Sequence, residues 1–306
     1  MQTLSALLID EPYDLNQKAC KAKDHIPEVQ WYIMKGFISV DLEGLPFIVS
    51  REHLDPGGKL FDEARGIATE LVLCVCESFK QCGVDSMLIA DSHGSMVNII
   101  PEKIPVYTEL IRGYPRATSM ISGAEDCDFG VFLGYHAKGG TEKATFDHAF
   151  SGSMIDWIKV NGKETSEFIL NGIALGHYNV PIILVAGDEV LMDEVCPEIE
   201  RLALKSSLSR YAAKSKSMDV IKRELSAACT KAFERFRVGG IRPMKAQEPT
   251  EVSVRFSHTD SADCAELLPG SKRIDGRTIS FQSRNVIEGY RTLELLIFAI
   301  YGAKVQ

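Results

Sequence analysis

The sequence has no run of about 20 apolar residues, the length a bilayer crossing needs. Its longest apolar stretches, 180–187 and 293–303, stop well short. It has no Cys-x-x-Cys pair among its 8 cysteines, which removes the spacing of zinc ribbons and thioredoxin-like sites. The nearest pair, Cys74 and Cys76, falls in a helical pattern, where two residues apart means nearly opposite faces. These thiols read as buried and reduced, in a cytoplasmic protein. There is no excess of positive charge: 34 Lys+Arg stand against 42 Asp+Glu, a net −8. That excludes coating a nucleic acid, which needs clustered Lys and Arg. The first residues have no basic start, so neither a signal peptide nor a membrane partner is expected. Tryptophan is scarce, with Trp31 and Trp157 alone, and each reads as a core anchor. Internal repeats and low-complexity segments are lacking too.

Against these absences stand 45% hydrophobic and 25% charged residues, the balance of a globular chain, which excludes extended disorder. A length of 306 residues suits one large or two moderate domains. Residues 1–35 carry few regular signals and read as an N-terminal extension. From Gly36 the pattern sharpens. Short apolar runs at 37–40, 87–90, 131–134 and 182–186 predict buried strands. Leu60, Ala64, Ile67, Leu71, Cys74, Val75 and Phe79 recur at helical spacing, and Gly83 ends that helix. Further helices are expected at 167–175, 220–236 and 290–300, and strands at 250–256 and 277–282. Asn161-Gly162 is a hairpin signal after a strand at 157–160. The alternation predicts an α/β fold with a mostly parallel sheet flanked by helices, and a second, smaller α/β or α+β part. A boundary near 190–215 divides a catalytic part, 36–200, from a part at 201–306 that completes the fold and carries oligomer contacts.

The apolar strands end in polar residues: Asp41-x-Glu43, Asp91-Ser92-His93-Gly94, Tyr135-His136 and Gly187-Asp188. In open α/β sheets ligands bind outside the carboxyl ends of the strands. A lone histidine there is ordinarily a hydrogen-bonded structural residue. Two of them beside Asp41 and Glu43, all directed to one sheet edge, make a donor set that suits zinc and related divalent ions. His53, His177 and His258 have no such company and read as surface or structural, and His25 lies in the extension.

Ser39-x-Asp41-x-Glu43-Gly44 resembles the signature of the zinc-dependent D-aminopeptidases, the DppA-like peptidase family. Further blocks follow in order. They are Asp91-Ser92-His93-Gly94 with Asn98, Gly134-Tyr135-His136-Ala137 with Gly140-Thr141, and Asp147-His148. Then come Asn161-Gly162 with Ser166-Glu167 and Asn171, Gly187-Asp188, Arg273-x-Asp275-Gly276-Arg277-Thr278 and Tyr290-Arg291. The resemblance spans about 36–303. It implies that Asp41, Glu43, His93, His136 and Glu167 hold two Zn2+ ions and that His148 is catalytic. It also implies short peptides with N-terminal D-residues, such as D-alanine, as substrates. A homo-oligomer is implied as well, a decamer of stacked rings whose sites face an internal chamber. Two departures stand out: Glu189 where the family has a second Asp, and Ser166 where glycine is frequent.

Five ligands, a bridging Asp41 and a hydroxide shared by both ions satisfy about four bonds per zinc. Such a hydroxide would attack the peptide carbonyl. His148 would then donate a proton to the leaving amine or contact the oxyanion, or act as the nucleophile. Ligand types do not separate zinc from manganese or cobalt. Two other readings remain at this point. One is another amide or phosphoester hydrolase on the same dinuclear site, with Lys138 the nearest basic residue. The other is a non-catalytic oligomeric homologue.

Overall fold

The computed structural model describes residues 33–304, so Trp31, His25, Cys20 and nearly all of the extension lie outside the described residues. Six strands run parallel in one sheet, in the order β3 (Thr108–Ile111), β2 (Ser86–Asp91), β1 (Lys35–Val40), β4 (Phe129–Tyr135), β7 (Ile182–Asp188) and β8 (Glu200–Ser209). β9 (Ala212–Lys214) joins β8 antiparallel at the edge. A second, five-stranded sheet is wholly antiparallel: β11 (Lys272–Asp275), β12 (Thr278–Ser283), β10 (Thr250–Phe256), β5 (Ile155–Val160) and β6 (Lys163–Thr165). The α/β fold with a second part is therefore present. The two sheets interleave along the chain: 201–306 supplies β8 and β9 to the first and β10–β12 to the second, and 36–200 supplies β5 and β6 to the second. The expected boundary region at 190–215 contains β8, inside the first sheet.

Side chains alternate across a strand, and β4 shows what each face meets. The Phe129 ring packs on Phe79 of α1 (Phe61–Gln81) and on Phe233 and Phe236 of α3 (Met218–Arg237), with centroids 5.0, 6.0 and 5.3 Å away. Gly130 faces the other way, toward Leu175 of α2 (Glu167–His177), and Phe132 meets Phe168 of the same helix. Helices thus cover both faces of the parallel sheet, which is why its strands read as unbroken apolar runs. α4 (Thr259–Ala265) and α5 (Val286–Lys304) pack on the second sheet and on each other. Among the described residues no helix is long and apolar enough to cross a membrane.

Local signals held where they were strong. Gly83, at φ +95°, follows the end of α1. Asn161 and Gly162 both have positive φ, as the tight turn between β5 and β6 requires. Trp157 departs from expectation. It lies on the half-exposed face of β5 with Lys159 Nζ 4.3 Å from its ring, because the inward positions of that strand belong to Ile158 and Val160.

The loop leaving β1 is clamped on β4. Asp41 N donates to Leu133 O at 2.8 Å and Gly44 N to Gly134 O at 2.7 Å. A Cβ on Gly44 would stand 1.9 Å from Tyr135 O, so no side chain fits there. Gly44→Ala is expected to destabilise the protein by about 3 kcal/mol, since backbone must move on both sides. Thermal unfolding would register this as a midpoint lowered by roughly 6–12 °C. An unchanged midpoint would mean that the loop relaxes freely.

Candidate metal centre

β1, β2, β4 and β7 are parallel neighbours, so their carboxyl ends share one edge. Asp41 and Glu43 leave β1 there, His93 leaves β2, and His136 leaves β4. Glu167 arrives from the side as the first residue of α2. Ser166 caps that helix, accepting from Ile169 N at 3.2 Å, and so gives this departure from the family pattern a structural role. His148 comes from the loop between β4 and β5.

All six residues meet. Asp41 Oδ1 lies 3.3 Å from His93 Nδ1, and Asp41 Oδ2 lies 3.6 Å from His136 Nε2. Glu43 Oε2 is 2.8 Å from His93 Nδ1. Glu167 Oε2 is 3.6 Å from His136 Nε2, and its Oε1 is 3.7 Å from His148 Nε2. The His136 and His148 rings stack at 4.4 Å. The donor atoms fall into two trios, Asp41–Glu43–His93 and His136–His148–Glu167, each within 4.8 Å. His148 therefore stands among the candidate ligands as well as beside them.

Each imidazole is oriented by a main-chain carbonyl. His93 Nε2 faces Leu54 O at 2.9 Å, His136 Nδ1 faces Ala137 O at 2.9 Å, and His148 Nδ1 faces Phe146 O at 2.7 Å. When those nitrogens donate, the opposite nitrogen of every ring presents a lone pair to the carboxylates, the arrangement of metal-ligating histidines. Asp41 Oδ2 and His136 Nε2 are buried with no hydrogen-bond partner, although they face each other. Two orphaned buried polar atoms are costly, and a divalent cation among them satisfies both. The residues fit the metal pair implied by the resemblance.

The electrostatics agree. Burial, and then Glu43, raise the Asp41 carboxyl well above the ordinary carboxylate range. Burial opposes the charge of Glu43 too, yet His93 holds it well below that range. Burial likewise opposes Glu167, and His136 holds it down. Burial alone would lower both inner histidines. Instead Glu43 and Asp41 lift His93 well above its usual value, and Glu167 and Asp41 lift His136 to about 10. Burial and neighbouring His136 lower His148. The carboxylates thus favour the protonated forms of His93 and His136, and a bound divalent ion would compete with those protons.

Supporting residues surround the six. Asp91 accepts from Asn98 Nδ2 at 2.7 Å and Ile99 N at 2.8 Å, and Asn98 Nδ2 reaches His93 O at 2.8 Å, which fixes the loop carrying His93. Beneath the site, Ser39 Oγ lies 2.7 Å from Tyr135 OH; Asn171 donates to that hydroxyl and accepts from Tyr290 OH at 2.7 Å. Asp188 belongs to neither trio; its oxygens take Thr145, Ser207 and Val190 donors. His53 is buried against Ser50 and His177 faces Glu248 at 3.2 Å, both away from the cluster. Lys138 pairs with Glu164 at 3.9 Å.

Three residues escaped sequence reasoning. Lys205, 2% exposed on β8, donates to the carbonyls of Glu43 and Ile48. Burial pushes its ammonium down to about 8, with Asp188 opposing. Lys205→Met orphans both carbonyls and loosens the Glu43 loop. We expect metal affinity, read by titration of the metal-free protein, to fall about 10- to 100-fold; unchanged affinity would remove Lys205 from the site's support. Arg116 and Glu294 are the others. Both line the cavity of about 490 Å³ that opens onto the cluster, beside Tyr114, Phe150, Phe298 and Tyr301. Burial lifts the Glu294 carboxyl to about 7. No motif marks these two; only the meeting of α5 with the loop after β3 brings them together.

The chain is similar to known proteins over this whole region. The family model for peptidase M55, D-aminopeptidase, matches residues 34–295. A D-aminopeptidase of Bacillus subtilis (strain 168) is 31% identical over 269 residues, covering 85% of this chain and 95% of that protein. The solved structure of the Zn-dependent D-aminopeptidase DppA from Bacillus subtilis, described as a self-compartmentalizing protease, superposes with a TM-score of 0.83 at 27% identity. It spans 88% of this chain and 98% of that one. A family match across both sheets and all six clustered residues means that this chain belongs to the peptidase M55 D-aminopeptidase family.

Proposed function

We propose that the protein is a zinc-dependent aminopeptidase that removes N-terminal D-residues from short peptides. The observation that carries this reading is the set of three imidazoles, each fixed by a carbonyl so that its free nitrogen faces buried carboxylates. Asp41, Glu43, His93, His136 and Glu167 would hold two divalent ions, and Asp41 links the two groups of donors because its two oxygens face different histidines. Bound there, the ions supply Lewis-acid polarisation of the scissile carbonyl and a nucleophile at neutral pH. The chain supplies the rest. His148, with Nδ1 tied to Phe146 O, keeps Nε2 available to carry a proton to the leaving amine. The cavity of about 490 Å³ suits a short peptide and not a folded chain. Tyr114, Phe150, Phe298 and Tyr301 give it an aromatic wall against which a bound peptide would shed water.

The D-preference rests on the relatives, which carry that name. The relative described as self-compartmentalizing supports a homo-oligomer, and a decamer is the form proposed here. Light scattering showing a monomer would remove that part. The activity has a direct test. Protein loaded with zinc should hydrolyse D-alanyl-D-alanine faster than L-alanyl-L-alanine, leave a phosphomonoester intact, and lose activity on chelation. Peptide hydrolysis absent from the metal-loaded protein, or phosphomonoester hydrolysis in its place, would overturn the reading.

A further inference from the structure

We propose that Glu294 receives the free α-ammonium of the substrate and so sets the demand for an unblocked N-terminus. The inference rests on the peptidase reading above and names the group that makes it an aminopeptidase. α5 runs back along α2. Tyr290 OH donates to Asn171 Oδ1 at 2.7 Å, in the middle of α2. Further along α5, Tyr301 OH lies 2.7 Å from Ser151 Oγ, next to Phe150, whose N–H donates to Glu167 Oε1 at 2.6 Å. Advancing on α5 therefore approaches the start of α2. Glu294 lies one turn beyond Tyr290, and Glu167 one turn before Asn171, so the two carboxylates border the same end of the cavity. Glu294, Ile297, Phe298 and Tyr301 share one face of α5 and line that cavity together.

Four carboxylates line the cavity. Asp41, Glu43 and Glu167 are each engaged with histidines. Glu294 is not; it is 8% exposed and held by the Ser119 hydroxyl. Arg116, the one arginine in the cavity lining, acts on Glu294 through its charge but makes no hydrogen bond to it: its Nη2 goes to Asp91 O and Met96 Sδ, and its Nε and Nη1 have no hydrogen-bond partner. A carboxylate taken out of water needs a cation. In an aminopeptidase substrate the ammonium is one carbon from the scissile carbonyl, so its acceptor must border the metal ligands. Among the cavity's carboxylates, Glu294 alone meets that condition without being a proposed ligand.

The test compares ligands with and without the amine on zinc-loaded, full-length protein. In the wild type, D-alanine should inhibit more tightly than propionate, which differs only by lacking the ammonium. Glu294→Gln should raise KM for D-alanyl-D-alanine about 10- to 100-fold. It should weaken D-alanine by the same factor, with propionate binding and metal content unchanged. Glu294→Asp, which keeps the charge, should retain part of the preference for D-alanine. An unchanged KM in Glu294→Gln, or equal weakening of D-alanine and propionate, would overturn the assignment. If the wild type hydrolyses no peptide, the peptidase reading fails separately. Calorimetric binding of D-alanine against propionate to both proteins then still decides the role of Glu294.

Discussion

Asp41→Ala is expected to lower peptide hydrolysis by about ten-thousand-fold and to cut the bound metal at the same time. Asp41 alone places one oxygen against His93 and the other against His136, so its loss uncouples the two trios. Groups that act as a unit lose most of their effect when any one is removed, and four decades in rate correspond to roughly 5.4 kcal/mol of barrier. Initial rates on a D-dipeptide and metal analysis after dialysis measure both effects. Wild-type rate with full metal content would end the bridging role. Stability should move the other way. Burial raises the Asp41 carboxyl in the metal-free fold, so its charge is disfavoured there relative to the unfolded chain. At pH 7 the metal-free Asp41→Asn variant should therefore melt at a higher temperature than the wild type. The difference should shrink as pH falls from the raised folded value toward about 4, the ordinary carboxyl range, and vanish below it, where the unfolded carboxyl is protonated too. A site that costs stability when empty and supplies activity when filled is expected of a pocket built for a cation.

The parallel sheet was legible because it is buried on both faces. β1, β2, β4 and β7 are unbroken apolar runs, and the polar residue closing each run marks the edge where ligands gather. That reading reached Asp41, Glu43, His93 and His136 by position alone. Glu167 and His148 needed the family resemblance, since a helix start and a loop carry no period. β3 and β8 went unseen: each is half-buried at the side of the sheet, and the polar residues of β8 hide its alternation. The crossing of β5 and β6 into the second sheet was equally invisible, because no local pattern reports which distant strand a hairpin will join. Lys205 carries no sequence signal that sets it apart from other lysines, and only the carbonyls of Glu43 and Ile48 reveal its purpose. Glu294 had the same difficulty within an amphipathic helix.

His148→Ala should leave metal content unchanged and lower turnover by about a hundred- to ten-thousand-fold, the range for a lost acid–base group. The geometry permits two roles, and this variant separates them. His148 Nε2 stands 3.7 Å from Glu167 Oε1, close enough to join His136 and Glu167 around an ion. Yet its side chain is 18% exposed, against 1% for His136, and it lines the cavity that admits substrate. Burial and the neighbouring His136 keep its imidazole below the usual value, which favours the neutral form, whereas nearby carboxylates raise His93 and His136. A neutral imidazole with Nδ1 fixed on Phe146 O has one open nitrogen. A proton carrier needs that nitrogen facing substrate; a ligand needs it facing the ion. Loss of rate with metal retained selects the first. Loss of metal in step with rate would make His148 a sixth ligand and leave the proton for the leaving amine to come from another group.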